Sequence, residues 1–556
     1  FITNSFLYAD EGMWEPYQMK GLKKELRTSG YNRNVSNVSD LFKHPMSAIV
    51  SLGGCSAAFV SDEGLIATNY HCIERAFLQF NSNSETDLFE TGFVARTKNA
   101  EKRSAPGSRV YVTLESTEIT EQVLKNLNDE TQDIERAKII EKNIKEIISV
   151  CETSDEIECR VRSFFSGETY KLEKVLKIKD VRLVYAPPAH IGEYGGEIDN
   201  WMYPRHTGDF ALLRAYTSKD GSSKEFNKDN VPYKSNSFLK ISAKGVDEGD
   251  FVMVVGYPGR TNRLLTFNEI KYDLEIGFHE TVEFLKRGIE LIDKNTNDAD
   301  GSGLKYRGLK SGYENYFKKI SGQIDGAENF KLLISEESNW KSFLKFVEKE
   351  ASKNEKDYLD ALLNLVDEQQ KESLARSYYG NSVLISQAKR LYRNAVEKEK
   401  IDSERKPGYQ ERDQEGIINR IKSLDYSFDL KIDKVIFKDR LSVYSKIDPS
   451  LRRPIYSELL KLNSGFNKMN QAIDEIYSSQ YKDSESFLQM MELSIGELNN
   501  STDPLIMFAK KTYEESLEYE KKYEAISAKR QLLKSKFIGL LKNYYESSNR
   551  QLYADA

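Results

Sequence analysis

The 556 residues carry 81 Lys+Arg against 87 Asp+Glu, a formal net charge of -6, with 39% hydrophobic and 30% charged residues. This acidic balance, with a pI near 5.8 and a mean hydropathy of -0.60, excludes the basic footprint of a nucleic-acid binder and the composition of a disordered chain. No stretch approaches the ~18 apolar residues at which a membrane span becomes plausible, and the length suggests two or three domains.

In chain order, Phe1 to Ala9 has the look of a cleaved signal peptide's tail, although no charged n-region precedes it. A series of short strands follows. Ala48-Ile49-Val50-Ser51-Leu52 runs into Gly53-Gly54, Ala57 to Val60 forms a second run, and the turn Asp62-Glu63-Gly64 leads into Leu65-Ile66-Ala67-Thr68. Further β-rich runs are Arg109–Leu114, Val181–Tyr185, Phe210–Tyr216 and Phe251–Gly256. One helical insert, between about 121 and 150, repeats Val123, Leu124, Leu127, Ile134, Ile140, Ile144, Ile147 and Ile148 near helical period. Short strands with Gly-rich turns predict a barrel or sandwich.

Eight of the 12 prolines lie at or before Pro258 and the next is Pro407, so the grammar changes near Thr266. Beyond it, Lys/Glu-rich stretches such as Trp340–Glu348 and Tyr513–Tyr545 have amphipathic helical spacing, their charges forming a solvated outer face.

The four cysteines are Cys55, Cys72, Cys151 and Cys159, with separations of 17 and 8. Pairing by proximity suits two local disulfides and an oxidising compartment, periplasmic or extracellular; four buried free thiols are the alternative. Neither spacing is CxxC. A bond between Cys55 and Cys72 would clamp the loop that carries His71, in Thr68-Asn69-Tyr70-His71-Cys72. A catalytic imidazole must sit at one angle to its partners, and chymotrypsin-like serine peptidases frame their histidine in this way. Asp209, after the polar loop Asn200-Trp201-Met202-Tyr203-Pro204-Arg205-His206-Thr207-Gly208, opens a β-rich run. It reads either as a turn-capping residue or as the carboxylate that orients an imidazole; spacing alone does not choose. Five scattered histidines without HExxH show no metal-ligand spacing, and no P-loop or GxGxxG follows a strand. Neither a metal nor another cofactor is expected.

Glu11-Gly12-Met13-Trp14, the His71 segment, the Asn200–Asp209 segment and Gly256-Tyr257-Pro258-Gly259-Arg260-Thr261-Asn262-Arg263, taken in this order, resemble the bacterial S46 dipeptidyl-peptidases. The resemblance runs from Asp10 to about residue 320 and continues more loosely beyond. It implies a β + α fold, a chymotrypsin-like double β-barrel with a large inserted α-helical domain. The corresponding division is a signal remnant at 1–9, a barrel region at 10–265 and a helical domain at 266–556 that covers the cleft. The implied activity is release of dipeptides from the free N-terminus of oligopeptides, with His71 as general base and Asp209 as its orienting carboxylate. Asn200, Trp201 and Asn315 match positions that bind the substrate's N-terminus, and a homodimer is implied by resemblance alone.

This sequence departs from the family pattern at Tyr70, where a second histidine is usual, and at His190, where an acidic or small residue is usual. His190 and His206 read as structural or supporting residues. The nucleophile is the larger departure. Gly380-Asn381-Ser382 is followed by Val383 where Gly is needed, and Gly301-Ser302-Gly303 lacks the rest of the oxyanion-hole pattern. In the family pattern the serine follows the helical domain, on closing strands of the second barrel. The expectation is therefore a C-terminally truncated stretch of a longer enzyme, itself inactive; the alternative is a pseudoenzyme that binds peptides without chemistry.

Overall fold

The computed structural model describes residues 13–83, 85–128, 131–259, 264–379, 382–548 and 552. It is a mixed α/β protein with one antiparallel sheet in its first half and helices through its second. Glu11, Gly12, residues 1–9 and the run 260–263 lie outside the described residues, as do Gly380 and Asn381.

The strands are β1 (Ile49–Ser51), β2 (Ser56–Phe59), β3 (Leu65–Thr68), β4 (Phe93–Val94), β5 (Lys102–Arg103), β6 (Val110–Glu118), β7 (Ile157–Phe164), β8 (Thr169–Ile178), β9 (Asp180–Ala186), β10 (Ala211–Thr217) and β11 (Val231–Pro232). The order is β4-β9-β10-β3-β2-β1-β6-β8-β7, with β11 beside β10 and β5 beside β9. Period-2 alternation sends Phe59, Ile66, Leu213, Ala215, Val181 and Leu183 into one core. Gly64 turns β2 into β3 at φ +68, and a Cβ there would lie 2.7 Å from the Ala215 carbonyl. No other residue type fits that turn without displacing backbone.

Two parts of the sheet differ from the sequence reading. The long hairpin β7–β8 was not expected, because Glu158, Arg160, Arg162, Lys171, Glu173 and Lys174 interrupt its apolar positions. The run Phe251–Gly256, expected as a strand, pairs with no strand among the described residues. Phe251 packs on Tyr31 with ring centroids 5.0 Å apart, and the Tyr257 N–H donates to Ser56 Oγ at 2.7 Å. Between these anchors Val252 and Val254 face solvent. β-branched residues make a strand only where a neighbouring strand receives their backbone groups, and none is available among the described residues.

The insert forms the helix Asp133–Cys151, and the expected helical stretches lie within Leu332–Glu350 and Tyr513–Ser547. The last of these straps the two halves together: Gln531 Nε2 donates to the Tyr170 hydroxyl at 3.0 Å and Lys542 pairs with Glu168 at 2.7 Å. Helix Ser302–Asn329 packs its Leu304 against the core of the sheet. Gln79, just beyond the His71 loop, donates from its side chain to the carbonyls of Leu304, Lys305 and Tyr426 at 2.8, 3.1 and 2.7 Å. One buried amide thus ties the sheet to two helical segments. No described helix is long and apolar enough to cross a membrane.

Candidate active site

Register brings the first pair together. In the antiparallel ladder Ala211 lies opposite Thr68, so the two residues before β10 run beside the residues that follow β3. Asp209 therefore meets the Asn69-Tyr70-His71 loop although 138 residues separate it from His71. The Cys55–Cys72 disulfide joins the entry of β2 to the residue after His71, and Cys151–Cys159 closes the second loop. Both sulfurs beside His71 are thereby consumed, and a disulfide offers a metal ion no thiolate.

Three contacts fix the pair. His71 Nδ1 lies 2.9 Å from Asp209 Oδ2, the His71 backbone N–H donates to Oδ1 at 3.1 Å, and Asn69 Nδ2 donates to Oδ2 at 3.2 Å. Burial pushes the Asp209 carboxyl up, but the His71 ring contact, its charge and the backbone N–H groups of His71 and Tyr70 outweigh it and hold the group below the usual carboxylate range. An ionised Asp209 places the imidazole proton on Nδ1 and leaves Nε2 as the basic nitrogen. The His71 side chain is 61% exposed against 18% for Asp209, so the basic edge is the accessible one. Tyr70 points the other way. It is fully buried, its ring against Gly192, where a Cβ would come within 2.5 Å of it.

The pair opens on a cleft of about 1850 Å³ lined by the His71 loop, the 192–209 segment and the helical half. Further along this cleft Asn200, Trp201 and Asn315 meet. Asn315 Oδ1 accepts from Asn200 Nδ2 at 2.8 Å and from the Trp201 indole N–H at 2.9 Å. Asn200 Oδ1 accepts from the Trp201 backbone N–H and from Arg205 Nη1, each at 3.0 Å, while its Nδ2 also donates to Glu197 Oε2 at 2.7 Å. Trp201 holds φ +58, a strained backbone of the kind that persists where surroundings over-determine it. The sequence reading places Asn200 and Asn315 at the substrate's N-terminus; in the structure each of their amide oxygens already receives two donors.

The same reading missed a carboxyl pair under the His71 loop. Glu74 is buried, three residues after His71, and its proton is held up to about 9 by burial first, then by the charge and hydrogen bond of Glu193, with Arg307 acting against them. Glu193 in turn pairs with Arg307 at 2.9 Å. The available signal was the acidic residue one helical turn after His71; its partner, far off in sequence, gave none. His190 and His206 make no hydrogen bond with His71 or Asp209 and do not line the cleft. Ser302 and Ser382 are occupied at helix starts: Ser302 Oγ donates to the Asn297 carbonyl at 3.2 Å, and Ser382 Oγ to Asp433 Oδ2 at 3.0 Å. Among the described residues no serine hydroxyl contacts His71.

The peptidase S46 family model matches residues 9–556. An Asp/Glu-specific dipeptidyl-peptidase of Shewanella putrefaciens is 35% identical over 559 residues, covering 100% of this chain and 76% of the relative. The chain therefore belongs to the peptidase S46 family. Dipeptidyl-peptidase 7 of Capnocytophaga gingivalis is 27% identical, over 92% of this chain and 71% of that protein. The crystal structure of Porphyromonas endodontalis DPP11 in complex with the dipeptide Arg-Glu shares the fold, with a TM-score of 0.78 at 22% identity over 99% of this chain and 79% of the other.

Proposed function

We propose that the chain is the larger part of a serine exopeptidase that releases dipeptides from peptides with a free N-terminus. The observation that carries this reading is one cleft holding both the His71–Asp209 pair and, away from it, the Asn200–Trp201–Asn315 cluster beside Glu197. Relatives of both named types are dipeptidyl-peptidases, and dipeptide release is common to them.

The chemistry follows from the site. A serine hydroxyl brought to Nε2 of His71 gives up its proton as it attacks the second peptide carbonyl, and Asp209 stabilises the imidazolium that forms. The imidazolium then protonates the leaving amine, and water repeats the sequence on the acyl-enzyme. At the other end, the substrate ammonium takes acceptor sites on Asn200 and Asn315 now filled by Arg205 and Trp201, with Glu197 supplying counter-charge. Among the described residues no serine hydroxyl reaches His71; in the barrel reading the sheet described here is the first barrel and residues 266–556 are the cleft's cover. The two disulfides suit a periplasmic or extracellular setting, and the family resemblance favours a homodimer.

The test is cleavage of matched peptides by the full-length gene product. Dipeptides should be released from a free N-terminus and not from the N-acetylated peptide, and the 556-residue chain alone should release none. Equal cleavage of acetylated peptide, or covalent labelling of a serine inside this chain by an active-site probe, would sink the proposal. A full-length protein that binds free-N-terminus peptides without cutting them would be the pseudoenzyme.

A further inference from the structure

The cleft has a wall that the reading above leaves unused. Arg390, on the helix Val383–Lys398, and Arg420, on Glu411–Lys422, both line it, and Arg75, one helical turn beyond His71, lines it from the sheet side. Neither Arg390 nor Arg420 has a carboxylate or hydrogen-bond partner for its side chain among the described residues, Arg390 having only the Tyr409 side chain nearby to offset its charge; Arg75 donates only to Ser427 Oγ, at 3.3 Å. Arg393, three residues along the same helix, shows the ordinary solution: it is ion-paired with Glu520 and Glu397. Arg390 is half-buried, and burial first, then the like charge of Arg420, makes its proton easier to lose than usual. Arg75 and Arg420 are exposed on the cleft wall beside the half-buried Arg390; guanidiniums gathered without an anion repel one another, so the wall suits an anion that arrives in use.

Helix Ser302–Asn329 serves as a ruler for where that anion lies. Gln79 ties Tyr426, the neighbour of Ser427, to the level of Lys305, whereas Asn315 stands ten residues further along, roughly 15 Å of helix rise. A dipeptide in extended form spans about 7 Å from its ammonium to the bond that is cut. The remainder, about 8 Å, is the length of two or three residues of leaving peptide. Resting on the dipeptidyl-peptidase reading, we infer that Arg75, Arg390 and Arg420 bind a carboxylate on the leaving side of the substrate, the free C-terminus of a short peptide. The cleft then offers Glu197 to the ammonium at one end and three guanidiniums to the carboxylate at the other.

The full-length protein should be assayed on three substrate types: a dipeptidyl arylamide, which has no leaving peptide; tetra- and pentapeptides ending in a free carboxylate; and the same peptides as C-terminal amides. A further amide pair with Glu or Gln at a leaving position separates an acidic side chain from the C-terminus as the ligand. The expected result is kcat/KM about ten-fold higher for carboxylate than for amide, as for a charge-assisted contact, with the ratio shrinking as salt is raised. Arg390→Gln and Arg420→Gln should bring the ratio near one, and Arg390→Lys should retain part of it should Arg390→Gln not fold. Arylamide hydrolysis with a ratio of one removes the arginine wall alone, as does a ratio that survives both Gln variants. A preference carried by the Glu side chain and not by the C-terminus overturns the assignment of the ligand. Failure to hydrolyse the arylamide removes the peptidase reading and the wall with it.

Discussion

His71–Asp209 and Asn200–Asn315 are both pairs of polar side chains in one cleft, the first at loop ends and the second between a loop and the helix Ser302–Asn329, and they are held differently. At the first, backbone and side-chain donors converge on one carboxylate, and a disulfide fixes the loop. Its accessible edge is the basic nitrogen. At the second, every amide acceptor is already filled by a neighbour, so a ligand enters only by exchanging one hydrogen bond for another. On the proposed reading the first lets a proton move without rearrangement and the second discriminates, because a group that cannot replace the displaced donors leaves half-buried acceptors unmet.

The largest expected effect breaks the first pair. In the full-length protein His71→Ala should lower kcat on a dipeptidyl arylamide by about four to six orders of magnitude, and Asp209→Asn by about four, with KM nearly unchanged. A loss expressed mainly in KM would place the pair in binding and remove the contrast. The second pair should respond the other way. Asn200→Ala or Asn315→Ala should reduce kcat/KM by about ten- to a hundred-fold, chiefly through KM, for each lost contact to a charged ligand. Equal loss on slowly cut N-blocked peptides would show that these amides do not read the ammonium.

How much of this was legible depended on whether the signal was local. The β2–β3 hairpin, the cysteine pairing and the long helices were readable because alternation, proximity and helical period are properties of one segment. The β7–β8 hairpin was hidden because Arg and Lys stems lie along the sheet while their heads reach water, as Arg160 does over the Tyr111 ring at 4.0 Å. Phe251–Gly256 was misread for the converse reason: its composition suits a strand, and pairing is not a property of one strand. At the site, His71 was readable from its frame, and Asp209 was left between two readings that only the β3–β10 register separates. Glu193 and the arginine wall carry no mark that distinguishes them from other surface charges, since what sets them apart is which partner they face, or that they face none.

Glu74 gives the smallest effect and tests whether the rigid end stands on a proton. In the unfolded chain this carboxyl titrates near its ordinary 4.5, whereas in the folded protein it keeps its proton to about 9. Between those values the folded state binds the extra proton, so stability falls as pH rises through that window. Glu74→Gln substitutes a permanently neutral group that still donates to Glu193. It should flatten the pH dependence and raise the melting temperature at pH 8.5 by about 2–4 °C, with little change at about pH 3.5, where both states of the wild type are largely protonated. Melts at the two pH values in both proteins measure it directly. If the variant instead melts lower at pH 8.5, Glu74 is ionised in the folded protein and is compensated by Arg307. The floor beneath His71 would then be a charge held by its counter-ion, and the preorganisation of that end would depend on Arg307 rather than on a shared proton.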